Sequence, residues 1–370
     1  MKTSICKRAS LFVPICIITL FSCKNTLEDQ EIQIIPLAQN INLAQDRDTE
    51  MIAFKNVSFI RISTKKYLMS DMMRFAGVFN NQLFLYDKDC IISTDITTGD
   101  IINQINRKGN GPEEYISILS ASLDTYDQTL IVYDPDKNRI TKYSFNGDFK
   151  GIIQLEESGC TCVMSDNNYL VCYRPNSSIK NLFGIYDRNW NVIRKSNLMQ
   201  SSVKSRIMAF NVPHTFNNKY YIRQNYKDTL FCINLSSESP EIHLQRGKYR
   251  MPDEYRNSLT AMAKVRDRYI EINDVNIAGN HLFVGYFYDQ KLYRDVWNLV
   301  NSELLSRSVI NNPNCRYGFP IHIEGQTIYC WCDFVYNNSI FCFLPHWESI
   351  KLFPNHSEED NPILIKIDLS

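Results

Sequence analysis

What the sequence has little of narrows the field first. It carries no net charge, because Lys plus Arg and Asp plus Glu stand at 40 each. Without excess positive charge a chain exerts no broad pull on phosphate backbones, which disfavours a nucleic-acid partner. Histidine is scarce, at six in 370 residues. No His-Glu-x-x-His, Gly-x-Ser-x-Gly or glycine-rich phosphate loop occurs, so the usual signatures of zinc hydrolases, serine hydrolases and nucleotide enzymes are missing. No catalytic residue, metal ligand or cofactor is therefore assigned. Helical periodicity is rare as well.

What is there begins with an address. Lys2, Lys7 and Arg8 precede the apolar run Leu11–Phe21, which is shorter than the ~20 residues that span a bilayer. The pattern reads as a cleaved signal, residues 1–22. The run ends in Leu20-Phe21-Ser22-Cys23, which resembles the bacterial lipobox and implies that Cys23 becomes an acylated N-terminus. More than one acyl chain holds a protein stably on a membrane. An ordinary secretory signal beside an incidental cysteine is the alternative. Residues 23–50 read as anchor and polar tether, and 51–370 as the folded domain. The expected location is the cell envelope, as an outer-membrane lipoprotein facing the periplasm or the surface.

From Phe54 onward short apolar runs alternate with polar turns. Gln82–Ile105 and Thr129–Leu155 are examples, β-branched and aromatic in the way half-buried strands prefer. Thr-Thr-Gly-Asp, Asn-Gly-Asp and many of the 36 asparagines supply turns that tolerate positive φ. Similar runs start at Leu83, Leu130, Tyr169, Tyr220, Leu282 and Ile328, a spacing near that of a four-stranded unit. The expectation is all-β: a six-bladed β-propeller of four-stranded antiparallel blades, with one short helical insertion at Met251–Asp274. A β-sandwich is the alternative.

The segment Asn106–Tyr115 (NRKGNGPEEY) resembles the Gly-x-Gly-Pro-Gly-Glu-Tyr signature of six-bladed propeller lipoproteins of Bacteroides-type bacteria, which are NHL/TolB-like propellers of unknown function. Gly109, Gly111, Pro112, Glu114 and Tyr115 match, and Glu113 stands where glycine is common. Asn56–Thr64 resembles the family's opening strand, and Lys227–Tyr255 a later unit of it. The resemblance implies fold and envelope location. Read physically, Gly109, Gly111, Pro112 and Tyr115 form a structural turn between blades. Arg107, Lys108, Glu113 and Glu114 are the candidate binding residues at the channel mouth.

Nine cysteines follow Cys23: Cys90, Cys160, Cys162, Cys172, Cys232, Cys315, Cys330, Cys332 and Cys342. Bonding within Cys160-Thr-Cys162 or Cys330-Trp-Cys332 is strained in an extended strand. A cross-strand partner such as Cys172 or Cys342, a zinc site and buried free thiols all stay open. His322 and Glu324 would share one face of a strand. Aromatics crowd the second half, as core or as a platform for sugar rings. The expected function is a non-catalytic binding or scaffold module for a glycan, a peptide or an envelope partner. A metal-assisted hydrolase or lyase at the channel mouth is the competing reading.

Overall fold

Six sheets with four antiparallel strands each make up the fold, and contacts between first strands join blade one to two, two to three, four to five, five to six and six to one. The computed structural model describes residues 32–39, 41, 47–48, 52–65, 67–69, 73–156, 159–163, 168–173, 180–199, 214–216, 219–224, 227–310 and 318–370. Cys23, Cys315 and the signal lie outside them.

Blade one runs Arg74–Phe79, Gln82–Tyr86, Ile91–Asp95 and Ile101–Ile105. Blade two runs Ser120–Asp124, Thr129–Asp134, Arg139–Ser144 and Phe149–Gln154. Blade three is Gly159–Val163, Tyr169–Tyr173, Phe183–Tyr186 and Val192–Lys195. His214–Phe216, Lys219–Arg223, Thr229–Ile233 and Glu238–Leu244 form blade four. Blade five is Glu271–Ala278, His281–Tyr288, Lys291–Asn298 and Leu304–Ile310. Blade six takes Phe334–Tyr336, Ser339–Leu344 and Ile363–Leu369 from the C-terminal end, and Phe54–Arg61 from far upstream. That last pairing closes the ring, since the two ends of the chain share one sheet by hydrogen bonds. Closure leaves only short edges open. Gly99 sits under it with φ +77°, and a Cβ there would stand 2.0 Å from the Arg61 carbonyl oxygen. Only glycine fits both demands.

Five of the six expected runs are second strands of their blades: Leu83, Leu130, Tyr169, Tyr220 and Leu282. The sixth needs correcting. Ile328 lies in a separate two-stranded hairpin, Phe319–Ile323 with Gln326–Cys330, and blade six has Ser339–Leu344 in that position. Both segments are apolar and follow a turn, so local pattern does not separate them. The tether also needs trimming. Gln33–Ile35 adds a parallel strand to the edge of blade four, and Arg47–Asp48 an antiparallel pair to blade five. Ile35, Leu37 and Ile41 are buried with the core of those blades. The apolar stretch Ile34-Ile35-Pro36-Leu37 was the local signal. The helical insertion is shorter than expected, Leu259–Val265 flanked by 3-10 turns, because Glu271–Asp274 already belongs to blade five. A second helix, His346–Leu352, interrupts blade six.

Turn chemistry matches the asparagine content: Asn80 and Asn81 have φ 45° and 63°, the pair of positive values a two-residue hairpin turn demands. Connectivity then sorts the loops. Linkers into each first strand and the turns between second and third strands share one face, here called the entry face. The Asn106–Tyr115 linker, both helices and the extra hairpin all fall on it. Asn361 shows the consequence, donating to the Ser63 and Tyr67 carbonyls across two such loops at 2.9 and 2.6 Å.

Candidate functional site

The linker from blade one to blade two is held by the buried Tyr115 ring, which meets Tyr143 edge-on, and by a dense set of hydrogen bonds. Tyr115 is fully buried; its hydroxyl donates to the Asp89 carbonyl at 2.9 Å and accepts from the Arg107 amide at 3.2 Å. Burial pushes its phenol far above the usual range. The Lys137 ammonium donates to the carbonyls of Gly109, Gly111 and Glu114 at 3.2, 3.0 and 2.7 Å. Arg139 reaches the Pro112 carbonyl at 2.8 Å and also that of Glu114, and the Tyr143 hydroxyl the Glu113 carbonyl at 2.7 Å. Gly109 and Gly111 are not in left-handed backbone. They leave room for Glu114: a Cβ on Gly109 would stand 2.0 Å from its Oε2, which accepts from the Gly111 amide at 2.8 Å. Among the candidate binding residues, Glu114 thus acts within the loop itself. Arg107, Lys108 and Glu113 are exposed, and Lys108 pairs with Asp89 at 2.6 Å.

The later unit, Lys227–Tyr255, is built by the same logic. Arg246 is buried, donating through Nε to Asp228 at 2.7 Å and through Nη1 to the Ile270 carbonyl at 2.8 Å. A buried, paired arginine ties blade four to the insertion above it.

Polar side chains that sequence reasoning missed gather where blades five and six meet. A bulge at Asn273 shifts the register of the first strand of blade five and re-aims Asp274. Gly285 makes the space, since a Cβ there would stand 1.7 Å from Asp274 Oδ1. The buried Trp331 donates its indole N–H to Asp274 Oδ2 at 2.7 Å, and the Arg294 guanidinium lies 5.0 Å from the Trp331 ring centre. Asn276 donates to the Cys332 carbonyl at 2.8 Å. Asp333, half-buried at the entry to blade six, accepts from the Phe343 amide at 2.7 Å. Burial pushes its carboxyl up to about 7, the Phe343 amide and Arg294 pull it back, and Asp274 adds to the rise. Arg223 of blade four donates to the Ile272 carbonyl at 3.1 Å, and burial brings its guanidinium down to about 10. A carboxyl that titrates near neutrality can hold or release a proton at working pH. In the sequence, 59 residues separate Asp274 from Asp333 (333 minus 274), and no spacing rule joins them.

Beside this cluster the insertion Gly247–Arg268 presents half-exposed aromatics. Tyr249 meets Tyr288 edge-on with ring centres 5.2 Å apart, and Tyr255 lies 6.3 Å from Tyr269. Lys248 stands 5.2 Å from the Tyr249 ring and Arg266 5.1 Å from that of Phe287. Most other second-half aromatics are core: Phe283, Tyr286, Tyr293 and Trp331 are buried. His322 pairs with Thr327 at 2.8 Å. Glu324 sits in the following turn at φ 51°, so the two do not share a strand face as expected. Among the described residues no group of three or more His, Cys, Asp or Glu side chains is placed to hold a metal ion.

Six four-stranded blades around one axis, closed by an upstream strand, define this protein as a six-bladed β-propeller. A family model described as a domain of unknown function, DUF4934, matches residues 32–368. The chain belongs to that family. Among solved structures it is similar to an inferred exported protein of Bacteroides fragilis, at 17% identity and TM-score 0.66, over 91% of this chain and 100% of that one. It is also similar to a DUF4221-family member from Bacteroides vulgatus, at 12% identity and TM-score 0.53, over 88% and 99%. Comparison with curated proteins gives no match.

Proposed function

We propose that this protein is a lipid-anchored propeller of the bacterial envelope whose entry face binds a glycan without transforming it. The observation that carries the reading is the set of half-exposed aromatics at and around the Gly247–Arg268 insertion, Tyr249 with Tyr288 and Tyr255 with Tyr269, with Lys248 against the Tyr249 ring and Arg266 against that of Phe287. Flat aromatic faces suit the apolar CH surfaces of sugar rings, and the neighbouring cations suit acidic substituents. Leu20-Phe21-Ser22-Cys23 supports acylation at Cys23, and likeness to an exported Bacteroides protein agrees with envelope location. Domain limits follow: signal 1–22, anchor from Cys23, propeller through Ser370.

Titration of the protein with acidic and neutral oligosaccharides, read by intrinsic fluorescence, tests the binding claim. Tyr255→Ala with Tyr269→Ala should weaken saturable binding at least tenfold. No saturable binding to any sugar by the intact protein would discard the glycan reading and move attention to a peptide or protein partner. Cys23→Ala should release the protein from the membrane fraction.

The competing reading, a hydrolase or lyase, is favoured by one feature: burial pushes the Asp333 carboxyl up to about 7, and the Asp274 carboxylate adds to that rise. Thermal unfolding in EDTA, excess Ca²⁺ and excess Zn²⁺ addresses its metal-assisted form. A native-state metal at 100-fold its Kd stabilises by ~2.7 kcal/mol, and a shift of that size would favour the hydrolase.

A further inference from the structure

In a chain whose charges cancel, the segment Arg246–Arg268 carries seven lysines and arginines against three acids. Its first turn is fixed from both sides. The Tyr249 amide donates to the Arg246 carbonyl at 3.0 Å and the Arg250 amide to that of Gly247 at 3.2 Å, while the Tyr249 carbonyl accepts from the Ile270 amide at 2.9 Å. Arg246 is buried and committed to the fold, through Asp228 and the Ile270 carbonyl. Arg250 is placed differently. Its side chain is 44% exposed, with Nε 3.5 Å from Asp228 Oδ2 and Nη2 4.0 Å from Asp253 Oδ1, which is on the surface too. Both distances lie at or beyond the limit of a hydrogen bond, and exposed pairs so long contribute little. The Arg250 guanidinium makes no shorter polar contact among the described residues. A cationic fork is therefore held at the surface on a rigid turn, beside Lys248 and the half-buried ring of Tyr249.

We propose that the ligand of the entry face is an acidic glycan, and that Arg250 receives the carboxylate of a uronate unit while the neighbouring tyrosines receive its rings. The inference rests on the glycan reading above and narrows it to one substrate class. A planar guanidinium offers two parallel N–H donors that match the two oxygens of a carboxylate, which a neutral sugar hydroxyl cannot use as fully. An incoming carboxylate displaces only the long contacts to Asp228 and Asp253, so no formed hydrogen bond is lost. Lys248 adds positive charge without the fork, and its pull is screened by salt. The turn is held by backbone bonds before the ligand arrives, which lowers the ordering cost of binding.

The test titrates the full chain, by calorimetry, with oligosaccharides of glucuronate, galacturonate and mannuronate. Each is run beside the same oligomer with its carboxyls reduced to alcohols. At low ionic strength at least one acidic form should bind about tenfold tighter than its reduced partner, and the gap should narrow in high salt. Arg250→Gln should weaken that acidic form about tenfold and bring the pair to within about threefold of each other. Thermal unfolding of the variant, followed alongside, separates loss of the site from loss of the fold. If Arg250→Gln does not fold, Arg250→Lys gives the reading: it keeps the charge, loses the fork and should lose part of the preference. Equal binding of every acidic and reduced pair, or a preference that survives these changes in folded protein, would overturn the inference and leave the glycan reading standing. If no oligomer binds in either form, both fall, and a poly-glutamate peptide that binds instead would make the partner an acidic protein.

Discussion

Replacing Asp333 by asparagine should change how stability depends on pH more than how large it is. The carboxyl is raised from 3.8 to about 7, chiefly by burial. Below pH ~4 both folded and unfolded chains hold the proton, and burial costs nothing extra. Between ~4 and ~7 the unfolded chain has lost it while the fold keeps it. Unfolding then releases a proton, and stability falls as pH rises. Above ~7 the full penalty is present. A three-unit rise corresponds to about 4 kcal/mol in all, of which about 2–3 kcal/mol accrues between pH 5 and 8. Solvent at this half-buried site makes that a ceiling. The side-chain carbonyl of the Asp333→Asn variant would still accept from the Phe343 amide but carry no charge. Urea unfolding of both proteins, followed by tryptophan fluorescence from pH 5 to 8, isolates the effect. The variant should gain on the wild type as pH rises from 5 to about 7 and level off above that. A difference constant to within ~0.5 kcal/mol would show Asp333 ionised throughout, and the acid–base reading of this cluster would lose its support.

Arg307 is buried against Asp295, with Nε–Oδ1 2.7 Å and Nη2–Oδ2 2.6 Å, and the Tyr286 hydroxyl donates to the same carboxylate at 3.0 Å. Arg307→Ala should cost ~3–5 kcal/mol, whereas the double change Arg307→Met with Asp295→Leu should lose much less; calorimetry that finds the two equal would contradict this account. Gly109→Ala should cost ~1–3 kcal/mol by expelling the Glu114 carboxylate and orphaning the Gly111 amide, and a denaturation midpoint unchanged from wild type would refute that reading. Deleting residues 1–41 removes Ile35, Leu37 and Ile41 from the core of blades four and five, a loss of several kcal/mol offset in part by chain entropy. Deleting through Ser63 also removes the closing strand and should abolish cooperative unfolding, which circular dichroism would show; a sharp transition in that variant would mean the ring closes another way.

Much of this protein is legible residue by residue. Runs such as Leu83–Tyr86 and Leu130–Asp134 carry their strand character in β-branched and aromatic content, and Asn80-Asn81 or Gly99 carry their turns in allowed φ. The signature Asn106–Tyr115 was visible too, because a turn uses neighbours in sequence. Its physical content was not: Gly109 and Gly111 are small for the sake of Glu114, and the partners Lys137, Arg139 and Tyr143 come from the next blade. The stretch Ile34–Leu37 shows its apolar character locally, but which blade it joins was hidden, as was the assignment of Ile328 to an extra hairpin rather than to blade six. Local pattern determined that the chain would form short antiparallel strands joined by tight turns. Only the tertiary structure decided which strand closes the ring, which indole donates to Asp274, and which side chains of blade two hold the Asn106–Tyr115 turn. Those outcomes rest on contacts between residues tens to hundreds of positions apart, and such contacts exist only once the ring has brought them together.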